Sequence, residues 1–301
     1  MADLTFQNPT PAMLMSMADG LMLGGKAGDA AKIYQIALKT ARGAERQRLQ
    51  VRLGLATSSS RQRLQLLKVL LGIEEFGGPA FVGDGLVTWG KSMPFLDDER
   101  FAALAQKHAN LLPIANWHWN LQAAIWAMRQ ARAAEGDFVE LGVFKGHTTI
   151  FAAEYLEFET WPRRWFLYDT FDGIPDDQLD PGWAEMNQKA YGDTFSYEEV
   201  RDRFAAFSNI EVFKGRVPEV LDGTCPERIA FVHLDLNNST AEIQALDALY
   251  DRISPGGVIL LDDFGWATAR AQYEAESAWF AARGLQVLAL PTGQGVFVKV
   301  A

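Results

Sequence analysis

Cysteine is almost absent: Cys225 is the only one in 301 residues. A single thiol excludes an intrachain disulfide and a thiolate metal cluster, and it suits a reducing compartment, so a cytoplasmic location is expected. Long apolar runs are missing too, since none approaches the roughly 20 residues of a membrane-spanning helix. The opening MADLTFQNPT has neither the basic segment nor the apolar core of a secretion signal, so no membrane partner is expected. Positive charge is in deficit: Lys and Arg number 28 against 38 Asp and Glu, a formal net charge of −10. Tracking nucleic-acid phosphates requires a basic face, so nucleic acid is not an expected partner.

What is present is an ordinary globular composition, 49% hydrophobic and 22% charged. The length exceeds one simple α/β domain and leaves room for a helical appendage of roughly one hundred residues. Residues 1–75 are expected to be that appendage. AMLMSMADGLML, AAKIYQIALKTA, ERQRLQVRLGLA and RQRLQLLKVLLGI carry apolar residues at helical spacing, broken by Gly24-Gly25, Gly43 and Ser58-Ser59-Ser60. Ala30, Tyr34 and Ala37 faintly resemble the packing positions of tetratricopeptide repeats. Such a region serves either as a cap or as a docking surface. Residues 76–114 read as a Gly- and Pro-punctuated connector and one helix, opened by Asp97-Asp98. The third region, 115–301, begins with the helical WHWNLQAAIWAMRQARAA. Its Trp117, Trp119, Trp126 and Met128 are expected in the core, with His118 a candidate for touching a ligand.

From Asp137 onward the rhythm is strand–helix: DFVEL, WFLYD, IEVFKG, AFVHLDL and GGVILLDDF are strands, most with a helix between. That alternation predicts a mainly parallel sheet covered on both faces. LQVLAL and GVFVKV are joined only by Pro291-Thr292-Gly293-Gln294, so this last pair must be antiparallel. The first strand runs into Glu140-x-Gly142-x-x-x-Gly146, a tight turn before a helix. This is not the G-x-G-x-x-G of dinucleotide-binding folds, and no Gly-Lys-Ser/Thr follows it. Asp169 ends the next strand, 29 residues after Glu140, where a carboxylate can accept from a ribose diol, with Tyr168 or Phe171 near the base. Asp235, Asp262 and Asp263 end two later strands, and the carboxyl ends of parallel strands share one ligand-binding edge. Carboxylates that close repel unless they share a cation or take up a proton. Oxygen ligands without cysteine suit Mg²⁺ or Ca²⁺ better than zinc, and Asn237, Asn238 and Thr240 are candidates for further neutral oxygens. His233 alternates with Asp235 and reads first as a core histidine; His147, just past the glycine turn, is a candidate cofactor contact. The insertion 172–198, with Trp183, Met186 and Tyr191, reads as a lid.

Taken together, FVELGVFKGHTT, DTFDGIPDD, VHLDLNNS, SPGGVILLDDFGW and PTGQG over about residues 115–300 resemble the TylF/MycF-type (macrocin O-methyltransferase-like) family of class I S-adenosylmethionine methyltransferases. The resemblance implies a Rossmann-like class I methyltransferase fold, a mainly parallel seven-stranded sheet with an antiparallel last strand. It implies S-adenosyl-L-methionine as cofactor, with Glu140, Gly142 and Gly146 on its methionine part and Asp169 on its ribose. It also implies Mg²⁺ on Asp235, Asp262 and Asp263, a sugar or glycoside hydroxyl as acceptor, and self-association into homo-oligomers. Asp235 is the expected proton acceptor. The chain departs from the family's L-D-x-D-x-Y pattern, with Asn237 in place of the second acid and Asn238 before Ser239 where tyrosine is usual. A metal-independent methyltransferase and a non-catalytic cofactor-binding module that docks a partner through the helical N-terminus are the alternatives.

Overall fold

A computed structural model describes residues 9–59, 80–111, 116–180, 187, 191 and 196–300. The chain forms two compact units, Met1–Ala80 and Phe81–Ala301. In the first, α1 (Pro11–Leu23), α2 (Ala27–Leu38) and α3 (Gly43–Thr57) bury Ala18, Ala30, Tyr34, Ala37, Ala41 and Leu49. Small residues let the helices approach, and one carboxylate joins all three: Asp19 of α1 accepts from Tyr34 Oη of α2 (2.5 Å) and Arg52 Nε of α3 (2.9 Å). The expected fourth helix, RQRLQLLKVLLGI, lies outside the described residues.

The second unit opens with a hairpin, β1 (Ala80–Gly83) and β2 (Leu86–Trp89), where the sequence suggested only a connector. The reason is local. Asp84 and Gly85 both take positive φ, 51° and 65°, and a two-residue turn of that kind matches the twist of paired strands. Gly85-Leu-Val-Thr-Trp-Gly-Lys-Ser also has phosphate-loop spacing, but its middle is strand β2 rather than a loop leading into a helix. Asp98 caps α4 (Glu99–Lys107) by accepting the Phe101 N–H at 2.9 Å, and α5 (His118–Ala131) buries Leu121, Ala124, Ile125 and Met128.

The α/β core follows as β3 (Asp137–Leu141), α6 (His147–Leu156), β4 (Trp165–Asp169), α7 (Tyr197–Arg203), β5 (Ile210–Lys214), β6 (Ile229–Leu234), α8 (Ser239–Leu249), β7 (Ile253–Leu261), α9 (Arg270–Ala281), β8 (Leu288–Ala289) and β9 (Gly295–Val298). The sheet order is β5-β4-β3-β6-β7-β9-β8, parallel except that β9 runs against both β7 and β8. This is the class I methyltransferase arrangement. All six residues of β6 are buried, as a central strand covered on both faces requires. β8 keeps only two residues of the expected LQVLAL, both exposed, because an edge strand has a partner on one side alone. The order reverses between β3 and β6, and the crevice at such a reversal is where open α/β sheets bind ligands. Among the described residues no helix is long and apolar enough to cross a membrane.

Candidate active site

The turn after β3 is held by its contacts. Gly142 takes φ +85°, and a Cβ there would collide with the carbonyl oxygen of Asp235, so only glycine lets β3 end this close to β6. At Gly146, φ +72°, a Cβ would stand 2.8 Å from the Phe204 ring. Asp169, at the end of β4, ties the turn down: its Oδ2 accepts the N–H groups of Val143 (2.7 Å) and Phe144 (2.8 Å), and its Oδ1 that of Phe171 (2.7 Å). Burial pushes this carboxyl above its ordinary range although the amides pull the other way. Phe171 is itself left-handed, φ 51°, with its ring 5.4 Å from that of Tyr197. His147 is the buried first residue of α6. Desolvation, then the charge of His108, pushes its imidazole down to about 4.

Glu140 is buried one residue before the strand ends. Its Oε1 lies 3.0 Å from His233 Nδ1, while Oε2 meets no hydrogen-bond donor among the described residues. Desolvation raises its pKa more than the histidine lowers it. His233 is therefore no ordinary packing residue. Its Nε2 faces Asp262 Oδ1 at 3.5 Å, which places the ring between two carboxylates. Burial alone would neutralise the imidazole, but the bonds to Asp262 and Glu140 hold its pKa well above the usual value.

β6 and β7 are parallel neighbours, so the residues after them share an edge. Candidate ligand atoms of His233, Asp235 and Asp262 all lie within 4.8 Å of one another. Asp262 Oδ1 also accepts from Gln294 Nε2 (3.0 Å) and Asn120 Nδ2 (3.3 Å). His233 and these amides outweigh burial and hold Asp262 below the usual carboxylate range. Asp235 and Asp263 are pushed well above it, by desolvation and then by the charge of Asp262. Asn237, left-handed at φ 56°, donates from Nδ2 to Asp235 Oδ1 at 2.6 Å. Asn238 has a different task from the one its position suggested: its Oδ1 accepts the Ala241 N–H (2.7 Å) and caps α8.

Of the expected lid, Trp183 and Met186 lie outside the described residues. Asn187 exchanges two 2.9 Å hydrogen bonds with the backbone of Ile174, and Tyr191 sets its ring 5.6 Å from Phe144. Burial, then the charges of Asp235 and Asp263, raises the Tyr191 pKa and keeps the phenol neutral. His118 packs among the rings of Phe81, Phe95 and Phe101 at 5.5–5.8 Å.

The sequence reading passed over Asp84, Asn120 and Gln294. Asp84, buried in the hairpin turn, accepts the N–H groups of Trp119 (2.8 Å) and Asn120 (3.1 Å) at the start of α5, so the hairpin fixes the helix that brings Asn120 to Asp262. The Asp-Gly pair was its signal; Gln294 lay within the PTGQG motif but without a role, and Asn120 carried no signal, because only the folded chain brings the two to the acid. A cavity of about 180 Å³ borders this corner, lined by Asp84, Gly85, Trp266 and Thr292 among others.

The profile of the TylF macrocin-O-methyltransferase family matches residues 118–286, more than half of the chain. The 8-demethyl-8-(2,3-dimethoxy-α-L-rhamnosyl)-tetracenomycin-C 4′-O-methyltransferase of Streptomyces olivaceus is 27% identical over 143 residues, 44% of this chain and 55% of that protein. The mycinamicin III 3″-O-methyltransferase of Micromonospora griseorubida is 30% identical over 140 residues, 43% of this chain and 55% of that protein. The chain thus spans about half the length of the curated relatives it matches. The solved O-methyltransferase NovP superposes with a TM-score of 0.52 at 20% identity, covering 60% of this chain and 80% of its own, a likeness of fold.

Proposed function

This chain belongs to the TylF macrocin-O-methyltransferase family, and from that premise we propose that it is an S-adenosylmethionine-dependent O-methyltransferase acting on a hydroxyl of a sugar or glycosylated natural product, with a divalent metal at the transfer site. The observation that carries the reading is a convergence. Glu140, Gly142 and Asp169 from β3 and β4 meet Asp235 and Asp262 from β6 and β7 at the reversal of strand order. The acceptor class comes from the relatives, one named for a rhamnosyl tetracenomycin and the other for mycinamicin III.

The residues fit the two groups. Glu140 Oε2 is a buried acceptor without a donor among the described residues, which suits the cationic amino-acid end of the cofactor. Glu140, Gly142 and Gly146 would hold that end and Asp169 the ribose, with His147 and Phe171 alongside. Asp235, Asp262 and Asp263 would hold the metal, Mg²⁺ being the expected ion, since crowded half-buried carboxylates gain most from a shared cation. When bound, the cofactor supplies an already activated methyl group and the cation lowers the pKa of a hydroxyl.

The chain's own residues then have three tasks. The glycine turn and Asp169 fix the direction from which the methyl is presented, and alignment of oxygen, carbon and sulfur is the main requirement of the transfer. Asp235 takes the hydroxyl proton on Oδ2, because Oδ1 is engaged by Asn237. Phe144 and Tyr191, whose rings lie 5.6 Å apart beside the glycine turn, would limit water there.

Calorimetric titration of S-adenosylhomocysteine, with Mg²⁺ and again with EDTA, tests the reading. Micromolar binding in both is expected, and no binding in either would remove its foundation. Asp263→Ala should lower methyl transfer to a glycoside acceptor by about 100-fold while changing cofactor affinity by no more than about threefold. Equal loss of both would count against the metal role. Transfer that persists in EDTA would favour a metal-independent route, for which His233, held cationic between Glu140 and Asp262, is the supporting observation.

A further inference from the structure

We propose that the cavity beside Asp84 and Trp266 seats one pyranose ring of the acceptor, with the Trp266 indole against the C–H face of the sugar and Asp84 and Thr292 on its hydroxyls. This rests on the methyltransferase reading above and adds where its acceptor is recognised and by which residues.

Size and position are the first support. The cavity measures about 180 Å³, and a space of about 150 Å³ already holds one benzene molecule. It therefore suits a single six-membered ring, and a polycyclic aglycone has to stay outside. Asp84 in its wall accepts the backbone N–H of Asn120, whose Nδ2 donates to Asp262 Oδ1. Thr292, also in the wall, donates from Oγ1 to Gln294 Oε1 at 3.0 Å, and Gln294 Nε2 donates to the same Asp262 oxygen. Each of these wall residues is one residue removed from the acid, so a ring held there lies next to the transfer site.

The chemistry of the wall is the second. Gly85 and Gly293 take positive φ, 65° and 95°, and a Cβ on either would collide with the Trp266 indole, so bare backbone at both places makes room for that ring. Trp117 lies parallel to it, with 4° between the planes and 6.3 Å between the centroids. An indole face attracts the weakly positive C–H groups of a saturated ring, while the hydroxyls of that ring need polar partners at its edge. An ionised carboxylate offers about four lone-pair positions, and the N–H groups of Trp119 and Asn120 occupy two of those on Asp84. Burial raises this carboxyl only to about 6, so it is charged at neutral pH and keeps acceptor capacity for a hydroxyl.

Most of the wall comes from segments beyond the family match. Asp84, Gly85, Thr292 and Gly293 lie outside residues 118–286, whereas Trp266 falls within them. The hairpin turn and the loop before the last strand thus supply recognition of the acceptor, and the matched stretch supplies the glycine turn and the acids.

The test uses full-length protein with excess S-adenosylhomocysteine. Saturation-transfer NMR with a panel of methyl pyranosides, beginning with methyl α-L-rhamnopyranoside, should show millimolar binding. Trp266→Leu should weaken it at least about tenfold and Trp266→Phe by no more than about threefold, with S-adenosylhomocysteine affinity unchanged in both. Should the leucine variant fail to fold, the wild-type protein crystallised with the bound pyranoside is read instead, and the sugar ring is expected against the Trp266 indole. A ring seated elsewhere, equal affinities in wild type and Trp266→Leu, or no pyranoside binding at all would each overturn the proposal. S-adenosylhomocysteine binding in the same sample separates the two ideas. Its binding without a pyranoside in the cavity defeats this inference and leaves the methyltransferase reading standing, whereas a pyranoside in the cavity of protein that binds no S-adenosylhomocysteine does the reverse.

Discussion

Gly142 carries two constraints at once, a left-handed backbone and contact with the Asp235 carbonyl. Alanine at a positive φ costs about 1–2 kcal/mol by itself. Here the Cβ must also push β3 away from β6, so Gly142→Ala should lose about 2–4 kcal/mol in urea unfolding. A loss below about 1 kcal/mol would mean that the strand ends separate easily. At this scale much of the site was legible. Glycines before a helix announce a tight approach, and acids at strand ends announce a ligand edge, because both follow from residue type and spacing. His233 was not legible. Its alternation with Asp235 told which face it shares, but a buried histidine is ordinary until its partners are known, and Glu140 lies 93 positions away.

Between α8 and α9 lies a buried pair that matters at the scale of elements. Glu242 and Glu276 are wholly inaccessible. Glu242 Oε1 accepts from Leu236 N–H (3.0 Å) and Gln272 Nε2 (2.9 Å), which ties α8 to the residue after Asp235 and to α9. The other three carboxylate oxygens of the pair meet no donor among the described residues, so a proton between them is the remaining way to satisfy them. Desolvation raises both groups, Glu276 to about 7. A raised carboxyl pKa means that the folded chain keeps a proton the unfolded chain releases near 4.5. The stabilisation is therefore complete below that pH and is lost as pH rises through about 7, a change on the order of 3 kcal/mol. Glu276→Gln should flatten that fall between urea titrations at pH 5 and pH 8. An unchanged slope would locate the titration elsewhere. The helix start at Asp98 was readable, since its side chain caps as expected, whereas Ser196 caps α7 at the end of the span read as a lid, where no helix was expected. The hairpin at 80–89 was missed because glycine and proline around it outweighed the Asp-Gly turn, and the single-sided edge strand β8 came out shorter than its apolar run.

For the whole molecule, every residue we assign to cofactor or metal belongs to the unit Phe81–Ala301. Removing residues 1–80 should accordingly leave S-adenosylhomocysteine affinity within about threefold of the full chain, as measured by calorimetry, provided the shortened protein gives a cooperative melt. A larger loss with the fold intact would give α1, α2 and α3 a part in cofactor binding. The net charge of −10 acts at this scale too: it favours solubility and disfavours polyanions, yet it does not select a fold.

The class of sheet, its antiparallel ending, the glycine turn and the acidic strand ends were determined by the sequence itself. Hydrophobic alternation, turn chemistry and strand-end position act over a few residues and need no knowledge of the rest of the chain. The tertiary structure alone decided which distant groups surround those acids. Glu140 meets His233 by strand register, Asn120 reaches Asp262 from a helix fixed by Asp84, and Gln294 arrives on the loop before the last strand. Such contacts join segments far apart in the chain, and their distances are set by how the layers pack. No local pattern encodes that packing.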